Sequence, residues 1–145
     1  DVKYCFERQM RHNEDDAAWT FRPLVGADQF MSGEADSVAG IQVVNEQVIR
    51  LELIQPVAFF LSTLCTEYSY IVPREEVERA SMDFEIRPVG SGPFRVVEPV
   101  LGKQVQLERF ANYWNPELPY VDRVTVFFGL SAEEIFGSFL RGHLD

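Results

Sequence analysis

The sequence predicts an α+β fold in which helices flank an antiparallel or mixed β-sheet. Segments with helical periodicity alternate with pairs of short strands, in no strict β-α-β order. The 145 residues are 46% hydrophobic and 25% charged, as in ordinary globular proteins, and the length suits one domain with a buried core. We therefore expect a single domain over residues 1–145.

The first predicted element is an amphipathic helix, "DVKYCFERQMRH", whose apolar side is formed by Val2, Cys5, Phe6 and Met10. A polar loop, "NEDDAAWTFRP", follows, and we expect its aromatic side chains Trp19 and Phe21 to be exposed. A short helical turn is expected around Phe30, in a stretch bounded by Gly26, Gly33 and Gly40.

A β-hairpin is predicted next, because apolar and polar residues alternate in "IQVVNEQVIRLELIQP" on both sides of an Asn45-Glu46 turn. Pro56 suits the first turn of a helix, "PVAFFLSTLC", which is apolar on nearly all sides and is expected to be buried. We interpret "TEYSYIVP" as extended chain, "REEVERA" as a short charged helix and "SMDFEIRP" as a loop.

The last third of the chain is predicted to form strands and a closing helix. "PFRVVEPVLGKQVQLERF" indicates a strand pair that turns at Gly102-Lys103, and Gly90 and Gly92 before it are expected to need positive φ or close backbone approach. "VDRVTVFFG" is typical of a buried strand. "SAEEIFGSFLRG" is predicted to be a helix that begins with a capping box and ends at Gly142.

Four aromatic residues between the predicted strands are expected to pack against one end of the sheet: Phe110, Tyr113, Trp114 and Tyr120.

No residue pattern in the sequence predicts catalysis, a metal site or a cofactor. The two histidines, His12 and His143, each follow the end of a predicted helix, where a cation interacts favourably with the helix dipole. The acidic run "NEDD" lacks the ligand spacing of a calcium loop. "GSGPF" is followed neither by a helix nor by a Lys-Ser/Thr pair, so it does not predict a phosphate site.

Charge and hydropathy exclude two classes of partner. The net charge of −10 argues against nucleic acids and anionic lipid surfaces, which attract basic proteins. The longest apolar runs fall far short of the ~20 residues that span a bilayer.

No signal peptide is visible, and Asp1 opens directly into a helical pattern without a start signal, so we expect a portion of a longer polypeptide.

The two cysteines leave three readings open. Cys5 lies on the apolar side of the first predicted helix, which favours a buried free thiol. A Cys5–Cys65 disulfide is an alternative in an oxidising compartment. A thiol hydrolase with Cys5 as nucleophile is a remote alternative, since no flanking signature accompanies it.

Several blocks of the sequence, in the right order, resemble the family 5 extracellular solute-binding proteins, the dipeptide, oligopeptide and nickel binders of ABC importers. "DVKYCFER" is similar to "DVKYSFER" of that family, and "YIVPREEVE" to "IVPKE-V". "PVGSGPFRVVEPVLGKQVQLERFANYW" is similar to "PVGTGPY-F-EW--G--I-LERNPDYW", and the hairpin, "PYVDRVTVFF" and "FLRGHLD" also have counterparts. Ser91, Phe94 and Phe110-Ala111 are mild departures.

The resemblance implies part of the first lobe of a bilobal, type 2 periplasmic-binding-protein-like fold, with the second lobe absent from this chain. It implies the binding component of an ABC transporter for peptides or similar small polar solutes, which holds its solute by closure of two lobes. The partners would be the solute and an ABC permease. The location would be periplasmic or extracellular, with a lipoprotein-type membrane anchor outside this chain. The alternative is a sensory module of a signalling or transcription protein.

The resemblance also implies a few ligand contacts and no catalytic residue. In peptide- and nickel-binding relatives the loop after the first helix contributes an aromatic residue, which matches Trp19. The stretch before "IVP" borders the pocket in those relatives, which points to Glu67, Tyr68 and Ser69. A Trp19 ring that packs on its own lobe stays an open alternative.

Overall fold

The computed structural model describes residues 1–12, 19–80, 83–100 and 102–145. It contains two compact units, Asp1–Arg79 and Ala80–Asp145, which we call unit 1 and unit 2. Both contain helices and antiparallel strands, which confirms the predicted α+β class. Most of the predicted polar loop, residues 13–18, lies outside the described residues.

The elements from Asp1 to Ala80 alternate between short helices and one hairpin. They are α1 (Val2–His12), α2 (Ala27–Met31), β1 (Ile41–Asn45), β2 (Val48–Leu51), α3 (Phe60–Thr63), a 3₁₀ helix (Glu67–Ser69) and α4 (Arg74–Ala80). The hairpin is antiparallel and pairs Ile41 with Leu51. The predicted first helix, helical turn, hairpin and charged helix are thereby confirmed.

The core of unit 1 is a single apolar cluster built from elements distant in sequence. Its buried members are Cys5, Phe6, Met10, Phe21, Leu24, Ala27, Phe30, Val38, Ile41 and Phe60. Phe21 is fully buried, and its ring centroid lies 4.8 Å from that of Phe6. The prediction of an exposed Phe21 was wrong, because α1 supplies the apolar surface that covers this ring.

Charged side chains of α1 fix the chain that leads into β1. The Glu7 carboxylate accepts a hydrogen bond from the Val38 backbone N–H (2.8 Å), and Lys3 Nζ donates to the Ile41 carbonyl (3.1 Å). Lys3 and Glu7 also form an i,i+4 ion pair at 3.7 Å. These contacts set the position of α1 along the hairpin.

Gly40 lies at a junction of three backbone segments. Its N–H donates to the Val25 carbonyl (2.7 Å), and its carbonyl accepts from the Glu52 N–H (2.8 Å). A Cβ atom at this position would stand 2.7 Å from both the Val25 nitrogen and the Glu52 oxygen. The junction therefore requires glycine because the backbones approach too closely for any side chain.

The segment from Pro56 to Ser69 differs from its prediction. Only Phe60–Thr63 is α-helical, and Phe59 and Leu61 are 64% and 76% exposed. The prediction of a buried helix over this segment was thus wrong. A stretch that is apolar on all sides does not reveal which of its residues face the core. Glu67–Ser69 forms a 3₁₀ helix where extended chain was predicted, and only the flanking residues Thr66 and Tyr70 are seen to be extended.

Unit 2 is built on a three-stranded antiparallel sheet of order β3-β4-β5. Its elements are α5 (Asp83–Ile86), β3 (Phe94–Val100), β4 (Gln104–Arg109), β5 (Arg123–Phe127) and α6 (Ala132–Leu140). The strand pair and its turn at Gly102, with φ +71°, are confirmed. A loop was predicted over residues 81–88, and this prediction was wrong for Asp83–Ile86, which form α5. Residues 81–82 lie outside the described part.

Other predictions in unit 2 divide between confirmed and wrong. Helix α6 begins with the predicted capping box and is followed by Gly142 with φ +70°. Gly90 and Gly92 have neither a positive φ nor a neighbouring atom within 4 Å of an added Cβ, so their predicted role was wrong. β5 is not buried: Phe127 is 45% exposed.

The four aromatic residues that were predicted to pack against one end of the sheet are not buried: Phe110, Tyr113, Trp114 and Tyr120. Tyr113 and Trp114 contact each other, with ring centroids 5.4 Å apart. Trp114 is nevertheless 78% exposed and Tyr120 is 86% exposed. The packing prediction was wrong for these two rings.

Candidate functional site

Trp19 lines a surface groove of about 450 Å³ in unit 1. The residues around this Trp19 groove are Trp19, Arg22, Pro23, Ile54, Gln55 and Val57. The indole of Trp19 is 52% exposed, and Ile54 is 64% exposed. A mainly apolar concave surface with a few polar groups at its edge is the usual form of a small-molecule site.

Two chain segments form the walls of the groove, and backbone contacts hold them together. Leu24 and Leu53 form an isolated antiparallel bridge, and the Ile54 N–H donates to the Pro23 carbonyl at 2.9 Å. Phe21 and Leu24 are anchored in the core beneath. The groove therefore lies directly above the apolar core of unit 1, while Trp19 and Ile54 stay at the surface.

The charge at the edge of the groove is already balanced in part. Arg22 Nε donates to the Asp28 carboxylate at 3.0 Å, and both side chains are mostly exposed. An exposed pair of this kind contributes little to stability and exchanges readily with solvent. A solute carboxylate can therefore compete with Asp28 for the guanidinium of Arg22.

The other predicted contact residues lie on the 3₁₀ helix. Glu67 is exposed, and Tyr68 is half-buried against the apolar core of unit 1. The Ser69 hydroxyl is buried and has no hydrogen-bond partner among the described residues. Glu67, Tyr68 and Ser69 are not among the residues that line the Trp19 groove, so the structure does not gather the four predicted residues into one described groove.

Sequence reasoning missed the wall opposite Trp19. Ile54, Gln55 and Val57 follow β2 and reach Trp19 only through the tertiary fold. The one available signal was an apolar residue, Ile54, placed just past the end of the alternating strand pattern and before Pro56. Thr20 was also missed; its hydroxyl is fully buried without a partner in the described part of the chain.

The thiols do not form a bridge. Cys5 and Cys65 are both free, the first buried and the second exposed. Cys5 is only 2% exposed, and its Sγ is engaged by the backbone of Val72. This environment confirms the buried free thiol and leaves Cys5 inaccessible to a substrate.

Unit 2 has a smaller groove of about 330 Å³ on a charged surface. Its lining residues are Glu108, Arg109, Asp122 and Arg123. Arg123 pairs with Glu108 at 2.9 Å and Arg109 with Asp122 at 3.3 Å. The Trp19 groove is the better candidate for a solute, because it is larger and lined mainly by apolar residues, whereas this groove is lined by charged side chains.

Neither a metal-binding cluster nor a membrane-spanning helix occurs within residues 1–12, 19–80, 83–100 and 102–145. Within those ranges, no cluster of three or more His, Cys, Asp or Glu side chains is placed to hold a metal ion. Nor is any helix in that part of the chain both long and apolar enough to traverse a lipid bilayer.

Comparison with known proteins identifies a matching protein family and several relatives. The model of the bacterial extracellular solute-binding proteins, family 5 (middle), matches residues 1–145. The peptide transport periplasmic protein SapA of Salmonella typhimurium is 27% identical over 152 residues, which cover all of this chain and 27% of SapA.

Solved structures of similar fold include two peptide-binding proteins. The periplasmic oligopeptide-binding protein OppAIV of Borrelia burgdorferi superposes with a TM-score of 0.85 at 21% identity, over 99% of this chain and 30% of that one. The murein tripeptide binding protein MppA of Escherichia coli superposes with a TM-score of 0.86 at 16% identity, over 99% and 29% of the two chains. The chain thus spans less than a third of the length of each of these proteins.

Proposed function

The chain belongs to family 5 of the bacterial extracellular solute-binding proteins, and from this premise we propose that it is part of the binding component of an ABC importer for peptides or similar small polar solutes. Its 145 residues supply part of one lobe. The solute lies between this lobe and a second one, and closure of the two lobes retains it.

The observation that carries this proposal is the family match over the whole chain. The relatives add the class of solute, since SapA is named a peptide transport protein and OppAIV an oligopeptide-binding protein. MppA is named a murein tripeptide binding protein. A peptide is therefore the solute that we propose for the complete protein.

The family consists of solute-binding proteins, so the chain is part of a binding protein and not of an enzyme. The burial of Cys5 agrees with this assignment. The remote alternative of a thiol hydrolase has no support, because its nucleophile is enclosed in the core of unit 1.

Within unit 1 we propose that the Trp19 groove contacts the solute. Trp19 offers a half-exposed aromatic surface, on which an apolar part of a peptide can pack, and Arg22 offers a cation at the edge. The 3₁₀ helix is proposed as a second contact, with Glu67, Tyr68 and Ser69. The Ser69 hydroxyl, which has no partner among the described residues, supports this part, because a buried polar group gains from any hydrogen bond that a ligand supplies.

For the complete protein we propose a periplasmic location and a permease as partner. SapA and OppAIV are both named periplasmic. We further propose that any attachment to the membrane is made by an anchor outside residues 1–145.

The test uses the full-length protein purified without refolding. Native mass spectrometry of the protein is expected to reveal co-purifying peptides, and calorimetry with a defined set of di- to pentapeptides is expected to give Kd values in the micromolar range or tighter. Sugars and polyamines serve as controls and are expected not to bind. Tight binding of a control solute without any binding of peptides would contradict the proposal.

A further inference from the structure

The Trp19 groove combines an apolar surface with two polar side chains. Four of its six lining residues are apolar: Trp19, Pro23, Ile54 and Val57. The other two, Arg22 and Gln55, are polar. Its volume of about 450 Å³ lies within the range of small-molecule pockets. A surface of this composition favours a solute that presents an apolar group and a polar group side by side.

The apolar part of the groove suits one large side chain of a peptide. The indole of Trp19 is 52% exposed and Ile54 is 64% exposed, so both keep apolar area that a solute can remove from water. The gain from this removal grows with the area covered, and an aromatic ring adds a directional contact with the indole. A methyl side chain such as that of alanine covers too little of the surface to gain as much.

The guanidinium of Arg22 keeps hydrogen-bonding capacity at the edge of the groove. Its Nε donates to Asp28, whereas its two Nη groups have no acceptor among the described residues. A guanidinium carries five N–H donors, and two parallel ones match the two oxygens of a carboxylate. The Asp28 side chain is itself 61% exposed, so it does not enclose the cation.

Arg22 is a local cation in an acidic chain. The net charge is −10, yet Arg22 is the one charged residue among those that line the groove. Charges farther away than about 8 Å are largely screened at physiological ionic strength. Direct contact with Arg22 therefore decides which solute group is preferred here, and charge-assisted bonds favour a carboxylate over a neutral amide.

We propose that the Trp19 groove selects a peptide in which a large apolar side chain lies next to a carboxylate. The apolar side chain packs on Trp19 and Ile54, and the carboxylate accepts hydrogen bonds from the Nη groups of Arg22. The carboxylate is either the carboxyl terminus of the peptide or a neighbouring acidic side chain. The inference rests on the proposed function, since it names the class of peptide that this groove prefers.

Calorimetry on the full-length protein tests the preference with four peptides: Ala-Ala-Phe, Ala-Ala-Phe amide, Ala-Ala-Ala and Ala-Phe-Asp amide. Ala-Ala-Phe is expected to bind at least ~10-fold more tightly than Ala-Ala-Ala, which lacks the ring. A carboxylate is expected to improve Kd by ~10-fold or more relative to Ala-Ala-Phe amide, which has none. A gain for Ala-Ala-Phe identifies the carboxyl terminus as the preferred source, and a gain for Ala-Phe-Asp amide identifies the acidic side chain.

Two results with these peptides would overturn the inference. If all four bind with equal Kd values, the groove does not select, although the protein remains a peptide-binding protein as proposed. If none of them binds, the inference and the proposed function fail together.

Arg22→Gln tests the role of the cation, because it removes the charge and keeps a hydrogen-bonding side chain. The advantage of the carboxylate is expected to fall below ~3-fold, while the preference for phenylalanine over alanine remains. Arg50→Gln is the control for net charge, since Arg50 is exposed and does not line the groove, and it is expected to keep both preferences. An undiminished carboxylate preference in Arg22→Gln would overturn the inference.

Ile54→Ala tests the apolar wall of the groove. It is expected to reduce the preference for phenylalanine over alanine by at least ~3-fold. Val44→Ala is the control, because Val44 is 52% exposed but lies outside the groove, and it is expected to leave the preference unchanged. If Ile54→Ala lowers Tm without changing any Kd, the protein's own chain covers the groove and the inference is overturned.

Discussion

The thiol of Cys5 and the backbone of Val72 form a reciprocal pair of hydrogen bonds. Cys5 Sγ donates to the Val72 carbonyl oxygen at 3.3 Å, and the Val72 N–H donates to the same sulfur at 3.2 Å. The pair joins α1 to the segment between the 3₁₀ helix and α4, two parts of the chain that are 67 residues apart in sequence. A free thiol thus supplies both the acceptor and the donor that this backbone position needs.

Replacement of Cys5 by alanine is expected to destabilise unit 1. The change removes the thiol that pairs with both the N–H and the carbonyl of Val72, which are partly buried, at a cost of about 1 kcal/mol or more. Urea unfolding followed by circular dichroism measures the loss. Cys65→Ala serves as the control, since Cys65 is exposed, and it is expected to change the free energy of unfolding by less than about 0.5 kcal/mol.

The two thiols are expected to differ in reactivity. Cys65 is exposed and Cys5 is 2% exposed, so a disulfide-exchange reagent titrates one thiol per chain in native buffer and two in denaturant. The absorbance of the thiolate that the reagent releases gives the number of thiols that have reacted. Rapid native modification of Cys5 in a Cys65→Ala variant would contradict the enclosed position that we describe.

Gly40→Ala is expected to be among the most damaging single substitutions in unit 1. The new methyl group would stand 2.7 Å from two backbone atoms that cannot move without breaking the junction, and we expect a loss of at least about 2 kcal/mol. Gly92→Ala is the control, because it meets no atom within 4 Å. It is expected to be neutral or to stabilise by up to about 1 kcal/mol. Similar changes in the free energy of unfolding for both variants would contradict the close backbone approach that we describe at Gly40.

The capping box of α6 is expected to have a measurable titration. The Ser131 hydroxyl donates to Glu134 at 2.7 Å and the Ser131 N–H at 2.8 Å, and these bonds to the carboxylate lower the pKa of Glu134 from its usual 4.5. Because this pKa is lower in the folded helix than in the unfolded chain, the cap stabilises α6 fully above the unfolded pKa and loses its effect as the pH falls through the lowered value.

A carbon-detected NMR titration of Glu134 checks this expectation. In the Ser131→Ala variant the pKa of Glu134 is expected to rise towards its ordinary value, because the larger cause of the shift, the side-chain bond, is gone. An unchanged titration curve in that variant would show that Ser131 does not hold the carboxylate in solution.

Trp19→Ala is expected to weaken peptide binding by the full-length protein by ~10-fold or more, since an indole ring desolvated against a ligand contributes about 1.4 kcal/mol or more, which is tenfold in Kd. Calorimetry with the tightest peptide measures the change in Kd. Trp19→Phe, which keeps an aromatic ring, is expected to lose less. If Trp19→Ala binds like the wild type, Trp19 packs on its own lobe and does not contact the solute.

The regular elements were predictable where local pattern and tertiary environment agree. Helix α1 and the β1–β2 hairpin follow from periodicity, and α6 follows from the capping box and Gly142. The pattern failed where the identity of the neighbours decides burial. Phe21 sits in a polar stretch yet is covered by Phe6, whereas Leu61 sits in an apolar stretch yet is 76% exposed.

The candidate site was predictable only on one side. Trp19 was named from resemblance, and its half-exposed position in a groove is compatible with that role. The sequence marks Ile54 only as an apolar residue past the strand pattern and does not place it or Val57 beside Trp19, because the contact between Pro23 and Ile54 that brings them there is formed by backbone atoms. Backbone pairing of this kind leaves no mark on the types of the residues that take part.

The bond between Cys5 and Val72 has a consequence for synthesis of the protein. A ribosome that has made Cys5 must add 67 more residues before its partner, Val72, exists. Phe21 and Ile41, which pack with the apolar side of α1, are made earlier, whereas the bond that ties Cys5 to Val72 forms only after residue 72 has been added. Contacts so distant in sequence slow folding, so the closure of unit 1 around α1 is expected to be a late step in its folding.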